Sequence, residues 1–120
     1  MKNKKNWIFL IVWMCLIFYF SSIPSVKLPK KFEEEILSYL AHFFEFFILN
    51  LLAYKNISKF NLKKLNTFII SSTFSVLYAF SDEVHQAYVP GRDSSEIDFL
   101  IDISGVLFLI IFLKNTNSKF

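Results

Sequence analysis

Four long apolar blocks, separated by short polar segments, occupy most of this sequence. They predict helices over residues 7–23, 36–54, 65–84 and 97–113. A helix crosses the hydrocarbon layer of a membrane with about 17–25 apolar residues, and each block has about that length. The pattern therefore predicts an all-α protein, a polytopic transmembrane bundle of four helices, that forms one domain over residues 1–120.

The composition excludes an ordinary soluble domain. Hydrophobic residues make up 54% of the chain and charged residues 19%, whereas charged residues are usually about 25% of a soluble protein. A domain of this size could not enclose 16 Phe, five Tyr and two Trp in one core. We therefore expect much of the surface to face a lipid bilayer. The only cysteine is Cys15, so neither an intramolecular disulfide nor a cysteine zinc site is expected.

The positive charges indicate how the helices are oriented. The net charge is +3, but the Lys residues are scattered between the apolar blocks, so no nucleic acid is expected as a partner. If the helices alternate in direction, nine of the 13 Lys and Arg residues lie on the side of both termini. The positive-inside rule then places the N and C termini in the cytoplasm (N-in/C-in) and predicts a multi-pass membrane protein.

The first apolar block also has features of a signal peptide. Three Lys residues precede it, as they do in the charged region of such a peptide. No small residue of the Ala type follows at a suitable distance, because the first Ala of the chain is Ala41. We therefore expect the block to be a retained helix.

Ionisable residues interrupt the apolar blocks at one predicted end of the bundle. His42 and Glu45 lie in the second block, and Asp102 lies in the fourth. In an alternating bundle, His42 is about 9 Å and Asp102 about 7.5 Å below the outer end of its helix, at about 1.5 Å per residue. The third helix ends there with four more polar residues: Asp82, Glu83, His85 and Gln86. Each ionisable group in a membrane costs roughly 2.5–3.5 kcal/mol, so we expect them to meet in one outward-facing cavity.

Spacing pairs several of these residues on single helix faces. Residues three or four apart share a face of a helix, which gives three pairs: His42 with Glu45, Asp82 with His85, and Asp98 with Asp102. The only Arg, Arg92, ends the segment Val89-Pro90-Gly91-Arg92, whose Pro and Gly are typical of a type II turn. Such a turn would hold Arg92 at the mouth of the cavity, where its guanidinium could bind a carboxylate or a phosphate.

Several of these residues also have a structural interpretation. His42 and Glu45 could form interhelical hydrogen bonds that fix the packing. Asp98 has capping-box spacing with the serine three residues before it, so it could cap the fourth helix. Gly105 is expected to permit close packing of helices. Asp102 lies one turn deeper than Asp98, too far from the start of the helix to act as a cap. This favours a functional role for Asp102.

The segment from residue 78 to residue 105 combines most of these features. Its defining residues are Tyr78, Ser81, Asp82, Glu83, His85, Gln86, Pro90, Gly91, Arg92, Glu96, Asp98, Asp102 and Gly105. Together they closely resemble the VanZ-like family of small bacterial membrane proteins. The first two helices fit the same family pattern at Trp13, Ser21, Ser22, Pro24, His42 and Glu45. One departure is clear, because the family usually has a Lys shortly before the His of helix two, and this chain has Ser38, Tyr39 and Leu40 there.

The resemblance implies a location and a role. It implies that the bilayer is the bacterial cytoplasmic membrane. The founding member of the family accompanies glycopeptide-resistance genes and is associated with resistance to teicoplanin, a lipid-tailed antibiotic that acts on outer-face cell-wall precursors. The partners expected from the resemblance are therefore a lipid-linked component of the cell envelope, such as a cell-wall precursor, or a lipophilic glycopeptide antibiotic.

Three functions stay open at this point, and binding is preferred to catalysis. The first is a non-enzymatic factor that binds such a ligand through these residues: His42, Glu45, Asp82, Glu83, His85, Gln86, Arg92, Asp98 and Asp102. The second is an intramembrane enzyme acting on a lipid-linked substrate, with a divalent metal as its one cofactor. Its candidate ligands are His42, Glu45, Asp82, His85 and Asp102, whose oxygen-rich set suits magnesium, manganese or calcium. The third is a proton-coupled transporter, because buried acids and His can relay protons.

Overall fold

The computed structural model describes residues 2–23, 32–91 and 96–115. Over these ranges the chain forms four α-helices: α1 (Lys2–Ser21), α2 (Phe32–Ile57), α3 (Lys64–Ala87) and α4 (Glu96–Asn115). A short 3-10 turn, Ser58–Phe60, follows α2, and no strand occurs in the described ranges. The all-α fold with four helices is therefore confirmed.

The helices extend further than their apolar blocks, chiefly at polar ends. Helix α2 begins at Phe32, four residues before the predicted start, because three acids fill its first turn and interact favourably with the positive end of the helix dipole. At its other end, Lys55 lies in the last turn. The carboxyl end of α1 is shorter than predicted, because the helix ends at Ser21 and not at residue 23. The hydroxyl of the next residue, Ser22, donates a hydrogen bond back to the Phe18 carbonyl at 2.7 Å.

Polar bonds show the direction in which each helix runs. The indole nitrogen of Trp13 in α1 donates to the Glu45 carbonyl of α2 at 2.9 Å, and the amide of Asn56 donates to the Asn6 carbonyl at 3.1 Å. Rising numbers in α1 therefore match falling numbers in α2, so these helices are antiparallel. Helices α1 and α3 run parallel, and so do α2 and α4.

Helix α2 is the centre of the bundle because each of the other three helices packs more extensively against α2 than against any other helix. In the middle of its length, Asn50 is fully buried and bonds to residues of two other helices, α3 and α4. Its amide nitrogen donates to the Ser72 hydroxyl at 3.1 Å and to the Val106 carbonyl at 2.8 Å, and its oxygen accepts from Ser75 at 3.3 Å. The apolar core surrounds this network and includes Leu10, Phe46, Leu49, Ala79 and Val106.

Large apolar side chains also cover the outside of the helices. Those more than half exposed include Ile8, Phe9, Ile11, Phe18, Tyr19, Phe20, Leu37, Phe44, Leu77, Phe80 and Leu100. Such a surface is costly in water, and contiguous exposed apolar patches commonly mark contact with a membrane or a partner. Two segments, Lys4–Ser21 and Phe32–Phe60, are long and apolar enough to cross a membrane. Both observations give coarse support to a membrane protein.

Gly105 sets the close approach of α2 and α4. A methyl group added at Gly105 would overlap the backbone carbonyl oxygen of Phe43 and lie 3.2 Å from the Phe47 nitrogen. Both atoms belong to the backbone of α2, so neither can move aside without shifting the helix. The expected packing role of Gly105 is confirmed.

We predict that Gly105→Ala destabilises the protein by about 1–3 kcal/mol, the usual cost of overpacking. A Gly→Ala change at a helix position with free space around it would instead stabilise the protein by about 1 kcal/mol. The sign of the change in the free energy of unfolding therefore distinguishes a packed position from an open one. The free energy of unfolding in mixed micelles would measure it. Ser104→Ala is the matched control, because Ser104 is exposed and its hydroxyl donates a hydrogen bond within α4, to the Leu100 carbonyl. A Gly105→Ala variant at least as stable as the wild type would contradict the packing.

Candidate functional site

The helix directions bring four helix ends together. These are the carboxyl ends of α1 and α3 and the amino ends of α2 and α4, and we call this part of the molecule the polar end. It holds the His and most of the acidic residues that the sequence places in or beside the apolar blocks.

The deepest contact at the polar end joins α2 to α4. His42 Nδ1 lies 3.0 Å from Asp102 Oδ1. The side chain of Asp102 is 0% exposed and that of His42 is 11% exposed. A buried carboxylate is costly unless it is hydrogen-bonded or paired, and the imidazole meets this need for one of the two oxygens. The other oxygen, Oδ2, is buried and has no hydrogen-bond partner in the part of the chain that the structure describes.

Helix α3 adds a second acid at the same place. Glu83 is 5% exposed, and His42, Glu83 and Asp102 each offer one nitrogen or oxygen atom within 4.8 Å of the others. We call these three residues the His42 cluster. Each comes from a different helix, so the cluster exists only in the folded bundle. One imidazole and two carboxylates at this separation could hold a metal ion.

A second polar network joins α3 to α1. The amide nitrogen of Gln86 donates to Asp82 Oδ2 and to the Ser21 hydroxyl, both at 3.2 Å. All three residues are buried. Asp82 and Gln86 are one helical turn apart, so one face of α3 presents both of them to α1.

His85 is directed towards α1 and lies outside the His42 cluster. Its Nε2 is 2.8 Å from the Ser22 hydroxyl oxygen. Its ring stacks on that of Phe18, with centroids 4.4 Å apart. The predicted metal ligands are therefore not all together in the structure. Glu83 lies beside His42 and Asp102, whereas His85 contacts α1.

A small cavity opens beside the His42 cluster. Its volume is about 120 Å³. The lining residues are Phe20, Ser21, Ser38, Ala41, His42, Glu45 and Gln86. Helices α1, α2 and α3 all contribute, and His42 belongs to both the cavity and the cluster. Since one water occupies about 30 Å³ of liquid, the cavity has the volume of about four waters. Glu45 is part of this cavity wall, as its spacing from His42 predicts.

The connection between α3 and α4 is described only in part. Gly91 has a positive φ of 76°, which is the value that a type II turn requires at its third position. Asp98 is half-buried, one turn before Asp102 in α4. Arg92, and the serine predicted to form a capping box with Asp98, lie outside the described residues.

Comparison with known proteins places this arrangement in a family. A model of the VanZ/LLP1 family matches residues 6–117 of the chain. The chain belongs to the VanZ/LLP1 family. The matched span contains the whole His42 cluster and the cavity, and it confirms the resemblance drawn from the motif of residues 78–105. No curated protein and no solved structure matches this VanZ/LLP1 chain.

Some polar residues of this VanZ/LLP1 protein have only a weak signal in the sequence. Spacing along the helices does not single out Glu83 from its neighbours as a metal ligand, and Ser38 enters the sequence pattern only as a departure from the family. Asn50 was missed altogether, although it is the one amide inside the second apolar block. A polar residue within such a block usually faces other helices, and this signal could have identified Asn50.

We predict that His42 and Asp102 are energetically coupled. His42→Ala and Asp102→Ala should each destabilise the protein, and the double variant should be more stable than the sum of the two effects predicts. The coupling should be about 1–2 kcal/mol, in the range of directly bonded pairs between membrane helices. A double-mutant cycle of unfolding free energies in mixed micelles would measure it.

The control cycle pairs Asp102→Ala with Thr73→Ala. Thr73 is exposed and its hydroxyl bonds within α3, to the Ile69 carbonyl at 2.8 Å, so these two effects should add. Additivity in the His42–Asp102 cycle as well would contradict the contact.

Proposed function

We propose that this VanZ/LLP1 protein is a multi-pass protein of the bacterial cytoplasmic membrane with both termini in the cytoplasm. The exposed apolar side chains on its helices support this. The excess of Lys on the side of both termini supports the orientation. In this orientation the polar end faces the outer surface of the membrane.

The orientation predicts which positions react from outside. In a Cys15→Ser background, Tyr88→Cys should be labelled by a membrane-impermeant maleimide in intact spheroplasts, because Tyr88 is 83% exposed at the end of α3. Lys59→Cys, in the exposed turn between α2 and α3, should be labelled only after the membrane is permeabilised. The reverse pattern would overturn the proposed orientation.

We further propose that the protein is a non-enzymatic factor that binds the sugar-bearing head of a lipid-linked envelope component or of a lipophilic glycopeptide antibiotic. The observation that carries this proposal is the polar cavity at the end of the bundle that this orientation places outside. Its wall offers hydroxyl groups from Ser21 and Ser38, the amide of Gln86 and the carboxylate of Glu45. Such groups bind sugar hydroxyls and amines, which need both hydrogen-bond donors and acceptors.

The size of the cavity limits what it can contain. About 120 Å³, the volume of about four waters, accepts a small polar part of a sugar and excludes an entire glycopeptide. The rest of the ligand would remain at the membrane surface, with its acyl or prenyl chain among the lipids. Exposed apolar side chains such as Phe20 and Leu37, close to the cavity in α1 and α2, suit such a chain.

Glu45→Gln tests this proposal directly. The change keeps the size of the side chain and removes a charged acceptor, whose hydrogen bond is worth about 1.5–3 kcal/mol. We predict at least about a tenfold rise in the Kd for teicoplanin or for a polyprenyl-linked disaccharide, measured on protein in lipid nanodiscs. The bond from Trp13 to Glu45 uses the backbone carbonyl and is available in this variant too, and circular dichroism and gel filtration check that the fold persists.

Glu33→Gln is the matched control, because Glu33 is an exposed acid in the first turn of the same helix. Its Kd should stay within about twofold of the wild-type value, a difference of under about 0.5 kcal/mol. Expression of the wild type in a susceptible host should raise resistance to teicoplanin, and Glu45→Gln at equal membrane abundance should raise it less. If neither ligand binds the wild type, or if both bind Glu45→Gln equally well, the proposal fails.

A further inference from the structure

We propose that the His42 cluster is a binding site for a divalent transition-metal ion, with His42, Glu83 and Asp102 as its protein ligands. This site lies beside the ligand cavity and does not depend on the sugar-binding function proposed above. It joins Glu83 to His42 and Asp102, and it omits three ligands expected from the sequence: Glu45, Asp82 and His85.

The distances within the cluster suit metal coordination. His42 Nδ1 and Asp102 Oδ1 are 3.0 Å apart. Two ligand atoms at bonds of about 2.1 Å and a right angle are separated by about 3.0 Å. The three candidate ligand atoms lie within 4.8 Å of one another, whereas opposite ligands of the same ion are about 4.2 Å apart. Side-chain shifts of less than about 1 Å, which cover the difference between these two separations, therefore complete the site.

Burial and charge favour a cation at this position. Asp102 Oδ2 has no hydrogen-bond partner in the described ranges although it is buried, so one acceptor atom at the cluster is left for a ligand. Two ionised carboxylates and a neutral imidazole carry a charge of about −2, which one divalent ion balances. A metal ion would thus remove the cost of keeping these acids away from water.

The donor set indicates which metal binds. Imidazole suits zinc and other transition metals, and carboxylates also suit manganese. Calcium and magnesium prefer oxygen ligands, whereas one of the three side chains of the cluster is an imidazole. The cavity that reaches His42 gives an ion a path to the site and leaves room for water at the remaining coordination positions. We therefore expect Zn²⁺ or Mn²⁺ to bind in preference to Ca²⁺ and Mg²⁺.

Metal titration of the full chain tests the site. The protein would be purified without a polyhistidine tag, stripped with chelator, reconstituted in lipid nanodiscs and titrated separately with Zn²⁺, Mn²⁺, Mg²⁺ and Ca²⁺. We expect about one Zn²⁺ or Mn²⁺ ion per chain, by calorimetry and elemental analysis, in line with a three-residue site. That ion should also raise the thermal unfolding temperature of the wild type, because it binds the folded state alone.

Variants assign the ion to the cluster. Asp102→Asn and Glu83→Gln should each weaken binding at least about tenfold, since each removes a charged ligand. Glu33→Gln, which removes an exposed acid from α2, should bind like the wild type. If Asp102→Asn does not fold, Glu83→Gln decides the question, with circular dichroism and gel filtration as checks of folding.

Two results would overturn the site. One is wild-type protein that binds no Zn²⁺ or Mn²⁺ in stoichiometric amounts. The other is binding and thermal stabilisation that persist unchanged in Glu83→Gln and Asp102→Asn. Because no sugar ligand is present in the titration, failure of the metal site leaves the sugar-binding proposal intact, and failure of sugar binding does not affect the metal result.

Discussion

The contact between His42 and Asp102 determines the arrangement of the polar end. Asp102 is fully buried in α4, so its carboxylate needs a partner from another helix, and His42 of α2 supplies it at 3.0 Å. The same principle applies lower in the bundle, where Asn50 bonds to α3 and α4 and Asn56 bonds to α1. In lipid, no water is available to satisfy such groups, and apolar packing alone distinguishes poorly between helix registers. Polar residues at three levels of α2 therefore fix the register of the helices around it.

The candidate site follows from this register. With α2 and α4 locked at His42, the carboxyl end of α3 brings Glu83 to the same point, and Gln86 bonds to Ser21 at the end of α1. The cavity lies in the space between these contacts. His42 faces both the cavity and the cluster, so a ligand in one and an ion in the other would share a residue. The functional groups thus lie on rigid helices, which position side chains more accurately than loops do.

Much of this architecture could be predicted from the sequence, but the pairing of side chains could not. Apolar blocks predict helices, and alternation of helix direction places the charged ends together. Spacing along one helix did not predict that Asp82 and His85 would meet different partners, because the rotation of α3 about its own axis decides this. The sequence of α3 does indicate which of its faces is buried. Small and polar residues are spaced three or four apart along that face: Ser71, Ser75, Ala79, Asp82 and Gln86. His85 lies at the edge of the buried face, and the exposed face of the same helix carries Leu77 and Phe80.

Solid-state NMR of the protein in lipid bilayers tests the central contact most directly. The chain has only two His residues, so isotope labels on the His ring nitrogens and the Asp carboxyl carbons give a simple spectrum. The structure predicts strong dipolar coupling between the His42 ring and one Asp carboxyl carbon, and this coupling should vanish in Asp102→Asn. A wild-type spectrum without that coupling, or one that Asp102→Asn leaves unchanged, would contradict the contact on which the polar end depends.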